Sequence, residues 1–320
     1  MNRNIWDRSM LITAIGVSVI SVISVGLAWR SSANLAEPIT AAALAPIMCA
    51  ALFSYFLRIV RFHYFLSQSK IPIPFRDTAL VQMVGFAFSV TPGRVGEIFK
   101  LHLIRERAGT PVIQSAPLLL LDRLTEAGGF LILALAATLA LPDLRNQIPS
   151  SNLLLIALGL ICAFAAGRRW LGNKIEANDP RLTRFAGALP WLFHIRNLWR
   201  GVDQSFTLTQ IAGGLALSTV ARFWDGVVVL LAARMIGVEL TVPAAVLVLA
   251  VSGLVGGISF LPAGIGAVET TMTGLLLLLG ADLPSAIAIT LVARLSTLWI
   301  WVGLGLGMTF ALHLTRVRQA

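Results

Sequence analysis

Continuous apolar runs fill most of this 320-residue chain. They extend over about 10–29, 40–66, 111–141, 152–166, 208–236 and 284–314. A helix needs about 20 apolar residues to cross the ~30 Å hydrocarbon core of a bilayer. With 57% hydrophobic and only 12% charged residues, the chain has far more apolar surface than one soluble core can hide. The runs are continuous rather than alternating, which argues against a barrel. In lipid the backbone must then satisfy its own hydrogen bonds, and helices do this. The sequence predicts an all-α, polytopic membrane protein with six full spans. The first run lacks a small-residue cleavage site and reads as a retained helix rather than a signal peptide.

The formal charge is +10, but its placement does not suit nucleic acid. Arg168, Arg169, Lys174, Arg181, Arg184, Arg196 and Arg200 share one polar stretch, 167–207, that divides the chain. Arg3, Arg8, Lys70, Arg76, Arg316 and Arg318 flank apolar runs. This is a positive-inside pattern, with anionic headgroups as counter-charge. It predicts an inner (cytoplasmic) membrane protein with both termini and the basic middle segment in the cytoplasm. Cys49 and Cys162 read as small buried residues, and the scattered His63, His102, His194 and His313 have no metal-ligand spacing. No metal or other cofactor is expected.

Two shorter apolar segments are broken by a related motif. Ser89-Val90-Thr91-Pro92-Gly93-Arg94-Val95-Gly96-Glu97 returns, loosened, as Ser259-Phe260-Leu261-Pro262-Ala263-Gly264-Ile265-Gly266-Ala267-Val268-Glu269. Around it Pro74 matches Pro243, Gly109 matches Gly280, and Arg123 matches Arg294, all at offsets of 169–171. Parity walking from the basic cytoplasmic segments brings the pair 75–108 in and out from the cytoplasm. It brings the pair 243–279 in and out from the opposite side. The sequence thus predicts two re-entrant helical hairpins in an inverted repeat, with units at about 40–141 and 208–314. Transporters that alternate access between two faces use this arrangement.

Thr91-Pro92-Gly93 reads as a helix start: threonine caps, and proline suits the first turn. A helix N-terminus inside the membrane favours an anion. Gly93, Gly96, Gly264 and Gly266 permit close approach, either of a ligand or of another helix. Arg123 and Arg294 stand about 15–18 Å into their spans at roughly 1.5 Å per residue, near the midplane. An unpaired arginine there costs at least ~2.5–3.5 kcal/mol. Each must pair with Asp122, Glu126, Glu97 or Glu269, or hold an anionic ligand, and both can hold if the ligand competes. Glu97 and Glu269 follow the breaks by one or two turns, and Lys100 is placed to pair with Glu97. Arg58 and Arg61 are expected to snorkel to phosphates. Arg222 and Asp225 form either a pair within one helix or part of a polar path. The candidate substrate-binding set is Thr91, Pro92, Gly93, Arg94, Gly96, Glu97, Arg123, Glu126, Arg222, Asp225, Pro262, Gly264, Gly266, Glu269 and Arg294. No Ser/His/Asp set or phosphate loop accompanies them, and no catalytic role is expected.

Ser89 to Glu97, Arg123 in the following helix, Pro262 to Glu269 and Arg294 resemble the lysylphosphatidylglycerol synthase transmembrane-region family, also called the flippase-like domain family. The resemblance covers roughly residues 10–314. It implies movement of a polar or anionic lipid between leaflets. Fused members carry a soluble aminoacyl-transferase domain, and this chain ends at Ala320, so the resemblance does not extend to lysyl transfer. Ala263 stands where a glycine is expected. Membrane lipids are the expected partners. The alternatives are a non-transporting partner of a lipid or glycan synthesis enzyme, or a membrane-embedded lipid-linked transferase.

Overall fold

The computed structural model describes residues 41–91, 98–141, 207–259 and 261–319. These form nine α-helices and no strand. In chain order they are α1 (Ala41–Gln68), α2 (Phe75–Ala87), α3 (Ile98–Ala108), α4 (Val112–Ala140), α5 (Leu208–Ile236), α6 (Val242–Ile258), α7 (Ala267–Leu278), α8 (Leu283–Arg294) and α9 (Ile300–Gln319). Short 3-10 turns at Phe88–Val90 and Pro262–Gly264 follow α2 and α6. The expected spans at 10–29 and 152–166, and the basic segment 167–204, lie outside the described residues.

The helix ends follow local chemistry. Thr207 caps α5 by accepting from Gln210 N, and the Gln210 side chain accepts from Thr207 N in return. Two of the four orphan N–H groups that open any helix are met in this way. Gly237 ends α5 at φ 83°, where a side chain would be strained. Thr241 and Asp282 cap α6 and α8, each followed by a proline in the first turn. Gly109 and Gly280, matched in the sequence, both adopt positive φ just past α3 and α7.

Three stretches are long and apolar enough to cross a membrane: Ala43–Gln68, Leu208–Ile236 and Leu283–Ala311. The side-chain distribution identifies the solvent. Leu52, Phe53, Phe56 and Phe310 are exposed, whereas Arg58, Arg61, Asp122 and Asp225 are buried. Water would favour the reverse; lipid favours this arrangement. Cys49, expected to be buried, is exposed on α1, because the outward face of a lipid-facing helix is also apolar.

α5 is the central strut, packing on α1, α4, α6 and α8. Small residues set its closest approaches. A Cβ on Gly129 would stand 3.0 Å from Thr219 N, and one on Gly226 would stand 2.8 Å from Val246. Close backbone approach of this kind is what holds helices together in lipid. The α2–α3 and α6–α7 pairs each pack on themselves. Their two 3-10 turns meet, with Val90, Ala263, Leu298, Trp299 and Val302 forming a small apolar cluster between them.

The run expected as a span over 284–314 is a continuous helical stretch, Leu283–Ala311, with one irregularity inside it. Leu295–Trp299, directly after Arg294, forms a wide π turn. Trp301 Nε1 donates to Ser296 O at 3.0 Å, satisfying a carbonyl of that turn, and the indole stacks on Tyr55 at 4.0 Å. Composition does not distinguish a π turn from the α-helix around it, so the sequence pattern shows none.

Candidate functional site

Residue spacing brings charge to one interior face of each helix. Positions three or four apart share a helix face. Arg58 and Arg61 therefore project together from α1, Asp122, Arg123 and Glu126 from α4, and Ser218, Arg222 and Asp225 from α5. These three faces converge on a cavity of about 100 Å³. Gln82 from α2, Lys100 from α3 and Arg294 from α8 join the polar lining, with the hydroxyl residues Ser89, Ser252 and Thr297.

Two linked ion-pair systems hold the walls. In the first, Arg61 Nε and Nη2 donate to Asp122 Oδ1 at 3.0 and 2.7 Å, and Nη1 donates to Ser218 Oγ at 2.7 Å. Arg123 Nη2 reaches the other carboxylate oxygen of Asp122 at 3.2 Å. This knot ties α1, α4 and α5 together. In the second, Asp225 accepts from Arg58 and, at 2.8 Å, from Arg222 Nη1. Glu126 pairs with both Arg222 and Arg123. Buried charges persist only when paired and hydrogen-bonded, because desolvation otherwise outweighs attraction. Aromatic faces add to the cation environment: Phe130 lies 4.5 Å from the Arg222 guanidinium carbon and Phe62 lies 5.3 Å from Lys100 Nζ.

Arg58 and Arg61 do not snorkel. They are 8% and 2% exposed, since carboxylates on two other helices offer closer partners than lipid phosphates do. Arg222 and Asp225 combine both expectations, pairing within α5 and lining the cavity. Lys100 is 1% exposed and lies against Gly85, where a Cβ would meet its Cε at 1.9 Å. Its expected partner Glu97 lies outside the described residues, as do Pro92, Gly93, Arg94 and Gly96. Thr91 is buried and its hydroxyl donates back to Phe88 O at 2.7 Å, closing the 3-10 turn.

The second motif departs from an open helix start. Helix α7 begins at Ala267, five residues after Pro262, with Gly266 at φ 86° before it. Gly266 N donates to Glu269 Oε2 at 2.8 Å, so the chain's own carboxylate occupies this helix N-terminus. The other oxygen of Glu269 accepts from Arg294 Nε at 2.6 Å, while Arg294 Nη2 donates to Ala263 O at 3.0 Å. One arginine thus fastens α8 to both sides of the Pro262–Gly264 turn. Ala263 itself sits at φ 50°, in the left-handed region that favours glycine, which explains why the resemblance expects glycine there. Gly264 serves helix packing: a Cβ would lie 3.1 Å from Gly256 Cα. Gly266 faces open space, and its positive φ is the reason for glycine.

Sequence reasoning missed Gln82, Ser218 and the interior placement of Arg58 and Arg61. A glutamine within the apolar stretch 75–90 was the available signal. The arginine pair at a three-residue spacing was another, since Arg222 and Asp225 show the same spacing.

The lining carries six cations, Arg58, Arg61, Lys100, Arg123, Arg222 and Arg294, against three carboxylates, Asp122, Glu126 and Asp225. Glu269 stands just outside and pairs with Arg294, which reduces an excess of three positive charges to two among the described residues. A low-dielectric chamber with surplus guanidinium groups attracts anions. No curated protein matches the chain. The lysylphosphatidylglycerol synthase TM region family matches residues 10–305, and the chain belongs to that family.

Proposed function

We propose that this protein binds the polar or anionic headgroup of a membrane lipid in the interior cavity and carries it between leaflets by alternating access. The observation that carries the reading is the gathering of ionisable side chains, most of them buried, around a cavity formed by apolar helices. Ionisable groups inside a membrane are costly and by default mark a functional site. Family membership supports an association with lipid.

In this reading the α2–α3 and α6–α7 pairs are re-entrant hairpins of an inverted repeat, entering from opposite faces, within a framework of six spans. The matched positions support it: Arg123 and Arg294 both border the cavity, and the two broken turns touch. Arg294, bonded to Glu269 and to Ala263 O, acts as a latch on one hairpin. Rocking of the two units would open the site to each leaflet in turn. The protein is a transporter of the inner membrane rather than an enzyme, with both termini cytoplasmic.

The test is leaflet-resolved accessibility of a fluorescent lipid in proteoliposomes, with dithionite quenching the outer leaflet. Wild-type protein should expose inner-leaflet lipid, and Arg123→Ala with Arg294→Ala should slow this at least about tenfold. Unchanged translocation in that double variant would overturn the proposed site. Absence of transport by wild-type protein, with a stoichiometric synthesis enzyme co-purifying, would favour an assembly role.

A further inference from the structure

The span Leu283–Ala311 holds the one π turn among the described residues, Leu295–Trp299. A widened turn takes backbone groups off the regular ladder, and hydrocarbon offers them no water. Side chains supply the partners instead. Ser296 Oγ donates to Val292 O at 2.9 Å, and Thr297 Oγ1 donates to Ala293 O at 2.7 Å. Trp301 Nε1 donates to Ser296 O at 3.0 Å. Three carbonyls at the turn therefore keep a side-chain partner if the backbone ladder loosens. Hydroxyls bonded back to the preceding turn favour bending, and π turns are among the places where helices kink.

The two flanks of the turn are fastened to different neighbours. α8 packs on α5 and α7, and its last residue, Arg294, bonds to Glu269 of α7 and to Ala263 O. α9 packs on α2, where a Cβ on Gly305 would stand 2.3 Å from Met83 O and 2.9 Å from Ala87 N. A backbone approach that close makes α9 and α2 one packed unit. The Trp301 stack on Tyr55 ties α9 to α1 as well, and Arg61 with Asp122 ties α1 to α4. Between the flanks lies the seam where the turns Phe88–Val90 and Pro262–Gly264 meet, closed by the apolar cluster of Val90, Ala263, Leu298, Trp299 and Val302. Ser89, Ala263, Thr297 and Leu298 at this seam also line the cavity. The helix matched to α8 differs: α4, which carries Arg123, is α-helical throughout Val112–Ala140.

We infer that the π turn is the hinge of a gate on the cavity. α8 swings with α7 against a frame of α1, α2, α4 and α9, the seam parts, and the cavity opens on that side. The moving wall carries Arg294, and the wall that carries Arg123 stays with the frame. The gate deepens the transport reading above and rests on the cavity being the transport site. α8 is 12 residues long, or ~18 Å at 1.5 Å per residue. A bend of about 20° at its end carries its far end by about 6 Å.

Double electron–electron resonance on the full chain in lipid nanodiscs measures the swing. Cys49 and Cys162 are first replaced by serine. Spin labels go to Leu278→Cys on α7, Leu52→Cys on α1 and Leu139→Cys on α4, all at exposed positions. The pairs 278–52 and 278–139 span the hinge, and the pair 52–139 lies within the frame. Nanodiscs of phosphatidylcholine are compared with nanodiscs of phosphatidylglycerol. At least one spanning pair should show two distances, or a shift between the lipids, of about 3–6 Å. The frame pair should keep one narrow distance. Trp301→Phe removes the donor to Ser296 O and should change the ratio of the two populations about threefold or more. Spanning pairs as narrow and fixed as the frame pair overturn the hinge, and the wild-type distances decide this even if the phenylalanine variant does not fold. Equal movement in the frame pair overturns it too, because α4 would then not be fixed. Lipid translocation in proteoliposomes with rigid spanning pairs overturns the hinge and leaves the transport reading intact. A swing with no translocation supports the hinge and overturns the transport reading.

Discussion

Replacing Arg61 alone by methionine should destabilise the bundle more than replacing Arg61 and Asp122 together. The two side chains are 2% and 1% exposed and share two hydrogen bonds. Arg61→Met leaves the Asp122 carboxylate in the interior with only the 3.2 Å contact from Arg123. Breaking one side of such a pair costs about 3–5 kcal/mol, because a buried charge loses its counter-charge. Adding Asp122→Leu removes that charge. What remains is the hydrogen bond of Ser218 to Arg61 and the weaker Arg123 contact, about 1–2 kcal/mol in sum. Ser218 can turn its hydroxyl to the carbonyl one helical turn before it, which lowers the residual further. The double variant should therefore lie closer to wild type than Arg61→Met does. Unfolding in mixed micelles by sodium dodecyl sulfate titration, followed by tryptophan fluorescence, measures all four corners of the cycle. A double variant that loses the sum of the single losses would refute the reasoning, since the pair would then not be compensating buried charge.

Other substitutions probe the remaining contacts. Gly305→Ala places a Cβ 2.3 Å from Met83 O; because backbone cannot yield easily, α9 should shift from α2 at a cost of about 1–3 kcal/mol, read by the same titration. Trp301→Phe keeps the stack on Tyr55 but removes the donor to Ser296 O, and should cost about 1–2 kcal/mol with hydrogen exchange rising first around Leu295–Trp299. Arg294→Lys cannot reproduce both the Glu269 and Ala263 contacts, so proteoliposome transport should fall and the same titration should show a loss of about 1–3 kcal/mol. Gly85→Ala would press on the Lys100 stem and should cost about 1–3 kcal/mol in the same titration.

Three membrane-crossing stretches and the charged residues inside the helices were legible in the sequence because hydrocarbon is an unforgiving solvent. It demands helices, and it makes every interior arginine conspicuous. Arg123, Glu126, Arg222, Asp225, Glu269 and Arg294 were identifiable for that reason alone, and the ends of α3 and α7 followed from Gly109 and Gly280. Partner choice was another matter. Arg58 could reach lipid phosphates or a carboxylate 167 residues away on another helix, and one-dimensional spacing does not distinguish them. The same holds for Glu269: its position after the break suggested a neighbour for Arg294, but only the turn of the chain at Gly266 shows it also closing the N-terminus of α7. The π turn after Arg294 was invisible because the residues of a widened turn are those of a helix.

The sequence by itself determined the solvent, the helical class, the broken segments and most of the charges, since each depends on local composition and depth. Tertiary structure alone decided which charges cancel and which groups are left over. Ion-pair geometry depends on how α1, α4 and α5 cross, and that crossing is set by backbone approach at residues such as Gly129 and Gly226. The pairing of Arg58, Arg61 and Arg222 with carboxylates on other helices is therefore a property of the packing.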